Sequence, residues 1–445
     1  MINSKNKPLV QEIIGTLNQG GYKTYIAGGA VRDMLLNQIP GDVDLLTAAP
    51  VREVAALFAH MKTRKVGKSF PICLINGVEV ASCRAGGAKD NFPVDDLGMR
   101  DFTINSMAWD PVSDTLVDPF GGQADLINKI IRFTRDPGER ILEDPLRMVR
   151  ACRFVARLDG KLATASLQAI LTHAPLIDPA GGQVPGERIY MELIKAMELT
   201  NPSRFFITLH ETGLLAKILP CLDRCFDLDG GPHHGETVFE HSLMVGDALP
   251  ASRPILRLAG FLHDAGKFDA ALIEEGKLTF VGHETHIEAI QRDLERLRFS
   301  SSHQKYIISL VQTHMRPLTD ETTPRAVRRL LAMLDRHELS FRDFLRMRIA
   351  DKRGNLAKSP YTLSQIRIRY KKIMDELSGQ AAFNINDLAI SGTQIIQLLG
   401  MKPGPEVGRI KEMLLERVLE DPSLNTRQRL EELVFSLANH SPAAL

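Results

Sequence analysis

The sequence predicts an α+β protein, with a small mixed-sheet domain at the N-terminus and a long all-helical remainder. Three observations predict it. Short β-type runs alternate with helical patterns as far as about residue 135. Inside that region Asn76-Gly77 separates two apolar runs at 71–75 and 78–83, and Asn-Gly supplies the two φ > 0 positions of a type I′ hairpin turn. From Glu143 onward apolar residues recur at helical spacing, beginning with Leu146, Val149, Phe154, Ala156 and Leu158.

Taken in order, residues 22–26 read as a strand entering Gly28-Gly29. Residues 42–46 read as a second strand, which places Asp42 and Asp44 on one face. The run 227–235 is a cluster of helix breakers and a boundary, and 380–386 separates a last helical unit. Residues 403–408 open a helix there.

Composition narrows the function classes. Lysine and arginine number 55 against 54 acidic residues, a net charge of +1, so the chain carries no general basic coat. Any nucleic-acid contact must come from local patches, such as 325–329 and 367–372, although solvated helix faces are the plainer reading of both. No stretch approaches the ~20 apolar residues of a membrane span. The N-terminus lacks a signal-peptide core. The five cysteines, at 73, 83, 152, 221 and 225, make neither close metal-type pairs nor a disulfide framework. Reduced thiols, a cytoplasmic location and no membrane partner are therefore expected.

Several groups carry chemistry. Asp42 and Asp44 form a costly like-charge pair unless a cation sits between them, and Mg²⁺ prefers such oxygen ligands. Two such ions can activate a 3′-hydroxyl and stabilise a leaving pyrophosphate. A solvated edge strand is the plain alternative. Glu79 is placed either as a third carboxylate or as an exposed strand residue. Gly28, Gly29 and Arg32, between strand and helix, allow close approach to a phosphate, or simply make a tight turn. Asp144 and Arg147 lie three apart on one helix face, an acceptor beside a forked donor. They either read the edge of a base or form a surface ion pair. His241, His263, Asp264 and Asp351 suit a divalent transition metal, with His283 and His314 for a second metal or a phosphate, or else they belong to a helical scaffold with a vestigial site, whereas His233 and His234, in a Gly/Pro loop, read as solvated.

The run 27–47 resembles the first motif of the class II tRNA nucleotidyltransferase and bacterial poly(A) polymerase family. Residues 100–107, 116–126 with Ile131-Arg132, 143–150 and 186–193 are similar to its later motifs, in family order. The resemblance implies addition of CMP and/or AMP from CTP and ATP to the 3′ end of tRNA, with a poly(A) polymerase as the alternative. It implies Asp42 and Asp44 as catalytic Mg²⁺ ligands. Gly28, Gly29, Arg32, Arg100, Asp101, Asn105, Asp144, Arg147 and Arg150 would bind nucleotide. Arg188 would contact RNA, or with Glu192 brace the neck. Met99 departs from the pattern, standing where the family commonly has arginine. The segment between Arg84 and Leu97 is short, as in relatives that add only CC, so arrest after CC is expected beside full CCA addition.

His241, His263-Asp264 and Asp351 resemble the ligand set of the HD phosphohydrolase superfamily, which implies a secondary phosphohydrolase or, alternatively, the main activity. Residues 390–408 and 425–426 are similar to the C-terminal region of tRNA nucleotidyltransferases carrying such a module. The resulting division is a nucleotidyltransferase head (1–138), a helical neck (139–228), an HD region (229–375) and a C-terminal tRNA-binding region (376–445).

Overall fold

The computed structural model describes residues 7–66, 72–83, 91–179, 181–378 and 382–438. It divides into two compact units, Met1–Ile218 and Leu219–Leu445.

The first unit is built on a seven-stranded sheet in the order β3-β4-β5-β2-β1-β6-β7. Its strands are β1 (Thr24–Ala27), β2 (Leu45–Thr47), β3 (Thr63–Val66), β4 (Ile72–Ile75), β5 (Val78–Ser82), β6 (Ala108–Asp110) and β7 (Thr115–Val117). Only the β2–β5 pair is parallel; the other neighbours run antiparallel, so the sheet is mixed as expected. The Asn76-Gly77 turn joins β4 to β5 with φ of 47° and 92°, the two positive values that the dipeptide tolerates. Residues 67–71 and 84–90, which include Pro71 and the start of the short segment after β5, lie outside the described residues. β1 and β2 are central and buried along their whole length. The helix Lys7–Gln19 buries Val10, Ile13, Ile14 and Leu17, one stripe at helical spacing.

Two expectations are corrected. The strand read over 42–46 begins only at Leu45; Asp42 lies in a bend and Asp44 directly precedes the strand. Backbone pairing starts at the Asp44 carbonyl, which accepts from Ala27 N at 3.0 Å; the upstream Pro40-Gly41 step keeps Asp42 out of the ladder. The alternation of faces still holds, because Val43 is buried between an exposed Asp42 and a half-buried Asp44. The remainder is also less purely helical than expected. A two-residue strand β9 (Lys161–Leu162) pairs in parallel with β8 (Ile130–Ile131). In the second unit β10 (Leu272–Glu274) and β11 (Lys277–Thr279) form a hairpin turned by Glu275 and Gly276, both at positive φ.

Elsewhere the second unit is helical. The helices Val238–Ala248, Pro254–Leu262, Ser301–Thr313 and Phe341–Gly354 surround its histidines. Residues 382–438 build a separate apolar cluster around Ile395, Leu414, Val418, Leu430 and Val434. The helix Pro405–Glu420 opens with proline in its first turn, as the sequence implied. The expected break at 380–386 is irregular from 382 onward, and 379–381 lie outside the described residues. Among the described residues no helix is long and apolar enough to cross a membrane.

Candidate functional site

In the first unit, β1 delivers the chain to Gly28, whose φ of 75° suits glycine and whose N–H bonds the Met107 carbonyl at 3.0 Å. A Cβ at Gly28 would collide with the Arg100 guanidinium. Beside this turn lies a cavity of about 420 Å³. It gathers Gly29, Arg32, Asp44, Arg100, Asp101, Asn105, Asp144, Arg147, Arg150 and Arg188, drawn from stretches far apart in the chain. Met99, Leu146 and Phe154 complete its lining, whereas Gly28 and Asp42, also expected at the site, do not line it.

The carboxylates at its edge repel one another. Burial pushes the Asp44 carboxyl above the usual range; Arg100 opposes this and Asp42 adds to it. Glu79 projects from the exposed face of β5, as one sequence alternative had it, and partial desolvation and both aspartates raise its carboxyl. Val80 pairs with Leu45, so Glu79 stands level with Asp44 on the neighbouring strand. Three neighbouring carboxylates, offering only oxygen donors, fit a hard divalent cation.

The cations opposite are held from behind. Arg32, 4% exposed, donates to Asn105 Oδ1 at 2.6 Å and to Asp33, and Arg157 donates to the same aspartate. Asp101 accepts from Phe102 N, Asn105 and Arg150. Burial works against its charge, but Arg150 and these hydrogen bonds hold it below the usual range. Arg150 also approaches Glu192 at 3.5 Å, and Glu192 takes a close bond from Arg153. Sequence reading missed Asp33, Arg153, Phe154 and Arg157. The signal was present in the spacing of Arg147, Arg150, Arg153 and Arg157 along the helix Leu146–Leu158.

Asp144 and Arg147 do not share a helix face, as their spacing suggested. Asp144 ends the helix Pro137–Glu143 in extended conformation, and Arg147 belongs to the next helix. Pro145 separates them, since the residue before proline is driven out of helical geometry. Each is held by another residue. Asp144 is forked by Arg188 at 3.0 and 2.8 Å, and Arg147 bonds Glu143 at 2.9 Å and the carbonyls of Arg140 and Met99.

The second unit concentrates its titratable groups in one place. His241, His263, Asp264, His283 and His314 are all at most 5% exposed, and Asp351 joins them. His263 and Asp264 follow directly on the helix Pro254–Leu262, and both reach the cluster. His241 Nε2 is 3.2 Å from Asp351 and 3.7 Å from Asp264; His263 Nε2 is 3.4 Å from Asp264. His263, His283 and His314 each direct Nδ1 at the carbonyl three residues back, at 2.8, 3.0 and 2.6 Å. Those bonds turn Nε2 inward. His263 Nε2 is buried and makes no hydrogen bond, and burial holds its pKa down at about 3, so no proton fills the lone pair. The Nε2 atoms of His283 and His314 face each other at 3.3 Å, which requires a proton or a cation between them. Three overlapping groups, His234–Glu236–His241, His241–His263–Asp351 and His263–Asp264–His314, bring their ligand atoms within 4.8 Å of one another.

His234 corrects the sequence reading. It is half-buried and bonds Glu236 Oε1 at 2.7 Å, whereas His233 is exposed as expected. Glu236, which sequence reading passed over, also lies 3.2 Å from His241 Nδ1. A cavity of about 610 Å³ opens over the cluster, with Lys267, Arg348, Lys352, Phe280 and Tyr361 in its walls.

A mixed-sheet head with carboxylates at a strand end, facing a basic cavity large enough for a nucleotide, defines a nucleotidyltransferase-type domain. The family described as "Poly A polymerase head domain" matches residues 24–132, and "Probable RNA and SrmB- binding site of polymerase A" matches 161–226. The "Multifunctional CCA protein" of Xanthomonas campestris pv. campestris (strain B100) is 32% identical over 419 residues, covering 87% of this chain and 95% of that protein. The "A-adding tRNA nucleotidyltransferase" of Deinococcus radiodurans is 32% identical over 442 residues, covering 94% and 96%. The chain belongs to the tRNA nucleotidyltransferase and poly(A) polymerase family. In fold it is similar to the crystal structure of the Bacillus stearothermophilus CCA-adding enzyme in complex with CTP, with a TM-score of 0.68 at 24% identity over 98% of each chain. The Thermotoga maritima CCA-adding enzyme complexed with tRNA gives a TM-score of 0.59 at 19% identity, covering 98% of this chain and 96% of that one.

Proposed function

We propose that the first unit adds CMP and AMP, from CTP and ATP, to the 3′ end of tRNA without a nucleic-acid template. One observation carries this reading: a single cavity holds both the Asp44 carboxylate and the Asp144/Arg147 pair. Asp42 and Asp44, with Glu79 on the adjacent strand, would hold Mg²⁺. When bound, two such ions activate the 3′-hydroxyl and offset charge on the leaving pyrophosphate. The chain's own cations, Arg32, Arg100 and Arg150, supply the positive field for the triphosphate. Cytosine and adenine both present an exocyclic amino donor beside a ring-nitrogen acceptor, whereas uracil and guanine present the reverse. Asp144 accepts from the amino group and Arg147 donates to the ring nitrogen, so the wrong bases leave polar groups mispaired. The cell compartment proposed is the cytoplasm.

The test is incubation with tRNA ending at the discriminator base, at C and at CC, with CTP and ATP supplied separately and together. Stepwise addition is expected, and Asp44→Asn should reduce it about 10²-fold or more. Intact tRNA binding without incorporation of any nucleotide would end this reading, and a long A tail on any RNA would point to poly(A) polymerase. Addition of C, C and then A is the expected outcome; arrest after CC would instead make this a CC-adding enzyme, in keeping with the short segment between Arg84 and Leu97, and would imply a separate A-adding enzyme.

A second reading belongs to the second unit, a metal-dependent phosphohydrolase. The buried His263 Nε2, which makes no hydrogen bond and sits among inward-facing ligands, favours it. The chemistry of the set suits a transition metal, with His241, His263, Asp264 and Asp351 as ligands and Lys267 and Arg348 placed to receive a phosphate ester. Bound metal without phosphatase or phosphodiesterase activity on small phosphate esters would count against it.

A further inference from the structure

We propose that Arg188 is a positioning residue for nucleotide selection, fixing Asp144 so that its Oδ2 is presented as the acceptor for the amino group shared by cytosine and adenine. The inference rests on the nucleotidyl-transfer reading above and assigns a role within it.

Asp144 sits in a short break between two helices, in extended conformation, with no helix backbone to set its side-chain rotamer. Its orientation is instead set by what binds it. Oδ1 accepts Leu146 N at 3.3 Å and Arg188 Nη1 at 3.0 Å; Oδ2 accepts Arg188 Nη2 at 2.8 Å. A carboxylate offers about four acceptor positions, two on each oxygen. Oδ1 is thus filled, and Oδ2 keeps one position open toward the cavity that both residues line. The planar guanidinium fork fixes the tilt of the carboxylate as well as its charge, which a point charge would not do. A free aspartate could rotate. Held in the fork, Asp144 keeps its carboxylate oxygen aimed as an acceptor, and an acceptor is what uracil O4 and guanine O6 cannot tolerate. Arg188 reaches it from the first turn of the helix Gly186–Met197, across 44 residues of sequence. A cation at a helix N-terminus is electrostatically misplaced unless an anion answers it, and Asp144 is that anion.

The pair is partly open to solvent, with side-chain exposures of 48% and 30%, so replacing Arg188 should leave the fold intact. The experiment compares wild type, Arg188→Ala, Arg188→Lys and Asp144→Ala, with the Asp144/Arg188 double variant. It measures kcat and KM for CTP, ATP, UTP and GTP on tRNA, and tRNA affinity separately. Arg188→Ala should lower the CTP-over-UTP selectivity by about tenfold or more. Arg188→Lys should recover only part of it, and tRNA affinity should hold. In the Asp144→Ala background, removing Arg188 should change selectivity no further. Weaker tRNA binding with unchanged selectivity would make Arg188 an RNA contact and overturn the proposal. So would an equal loss with all four nucleotides. A wild-type protein inactive with all four removes the nucleotidyl-transfer reading itself, an outcome separate from either.

Discussion

Glu192 shows what a single buried charge does behind the head cavity. It is 3% exposed and faces Arg150, Arg153 and Lys195. Burial alone would raise its pKa, but Arg153 and Arg150 outweigh that and hold it below the usual range. Sequence reading left Glu192 between a substrate contact and a brace. Its partners make it a brace, because it ties two arginines of one helix from another helix and lines no part of the cavity. Glu192→Gln strands Arg153 beside a neutral amide and should cost about 3 kcal/mol. The sign with pH follows from the depressed pKa. The stabilisation is complete above the unfolded value of about 4.3 and is lost as pH falls through the lower folded value. Melting curves from pH 7 to pH 3 should show the wild type losing its advantage over Glu192→Gln only below about pH 4. A gap that is constant across that range would contradict the assignment. Side-chain partners of this kind were not legible in the sequence, because the motif showed the arginine spacing but not which acid each arginine meets.

Among elements, the stretch 118–125 explains its own composition. Asp118 accepts from Gly122 N at 2.7 Å and Gln123 N at 2.9 Å, capping the helix Gly122–Ile127. Gly121 takes φ 72°, and a Cβ on Gly122 would strike the Thr103 carbonyl. Asp125 then binds the Thr103 hydroxyl at 2.7 Å and Arg132 at 2.9 Å. The glycines thus let this helix press against the turn Thr103–Asn105, whose Asn105 holds Arg32. Gly122→Ala should destabilise the fold by about 1–3 kcal/mol and raise the KM for CTP by displacing Asn105. Denaturant unfolding and initial rates check both; a destabilised variant with unchanged KM would show that the turn does not set the nucleotide site. The same element scale shows why some strands were legible. The β4–β5 hairpin carried Asn-Gly and buried alternation, two independent signals. β10 and β11 are three residues each and largely exposed, so tertiary position, not apolar pattern, makes them strands. The extended reading of Asp42 failed by the same rule, since alternation of faces persists beyond the last paired residue.

Across the whole molecule the two units carry donor sets of different chemical character. The first offers only carboxylate oxygens near the cavity edge, a match for a hard ion that keeps its waters. The second offers imidazole nitrogens with two aspartates, a match for borderline transition metals. This difference was visible in the sequence as residue types, and the near-zero net charge already required that nucleic-acid contact be local. The convergence of these six side chains, two on helices, one on a 3-10 turn and three just beyond helix ends, was not visible, because it depends on packing. The contrast predicts that the two activities separate by metal and by mutation. Stripping the protein with a strong chelator and restoring only Mg²⁺ should return tRNA extension in full and leave phosphoester hydrolysis absent. Adding Mn²⁺, Co²⁺, Ni²⁺ or Zn²⁺ one at a time should then restore hydrolysis with at least one of them. His263→Ala should abolish that recovery while keeping tRNA extension within about twofold, since the two clusters share no residue. Asp44→Asn should do the reverse. Loss of tRNA extension in a folded His263→Ala protein would mean that the two clusters serve one reaction, and undiminished hydrolysis in that variant would place the hydrolytic metal elsewhere.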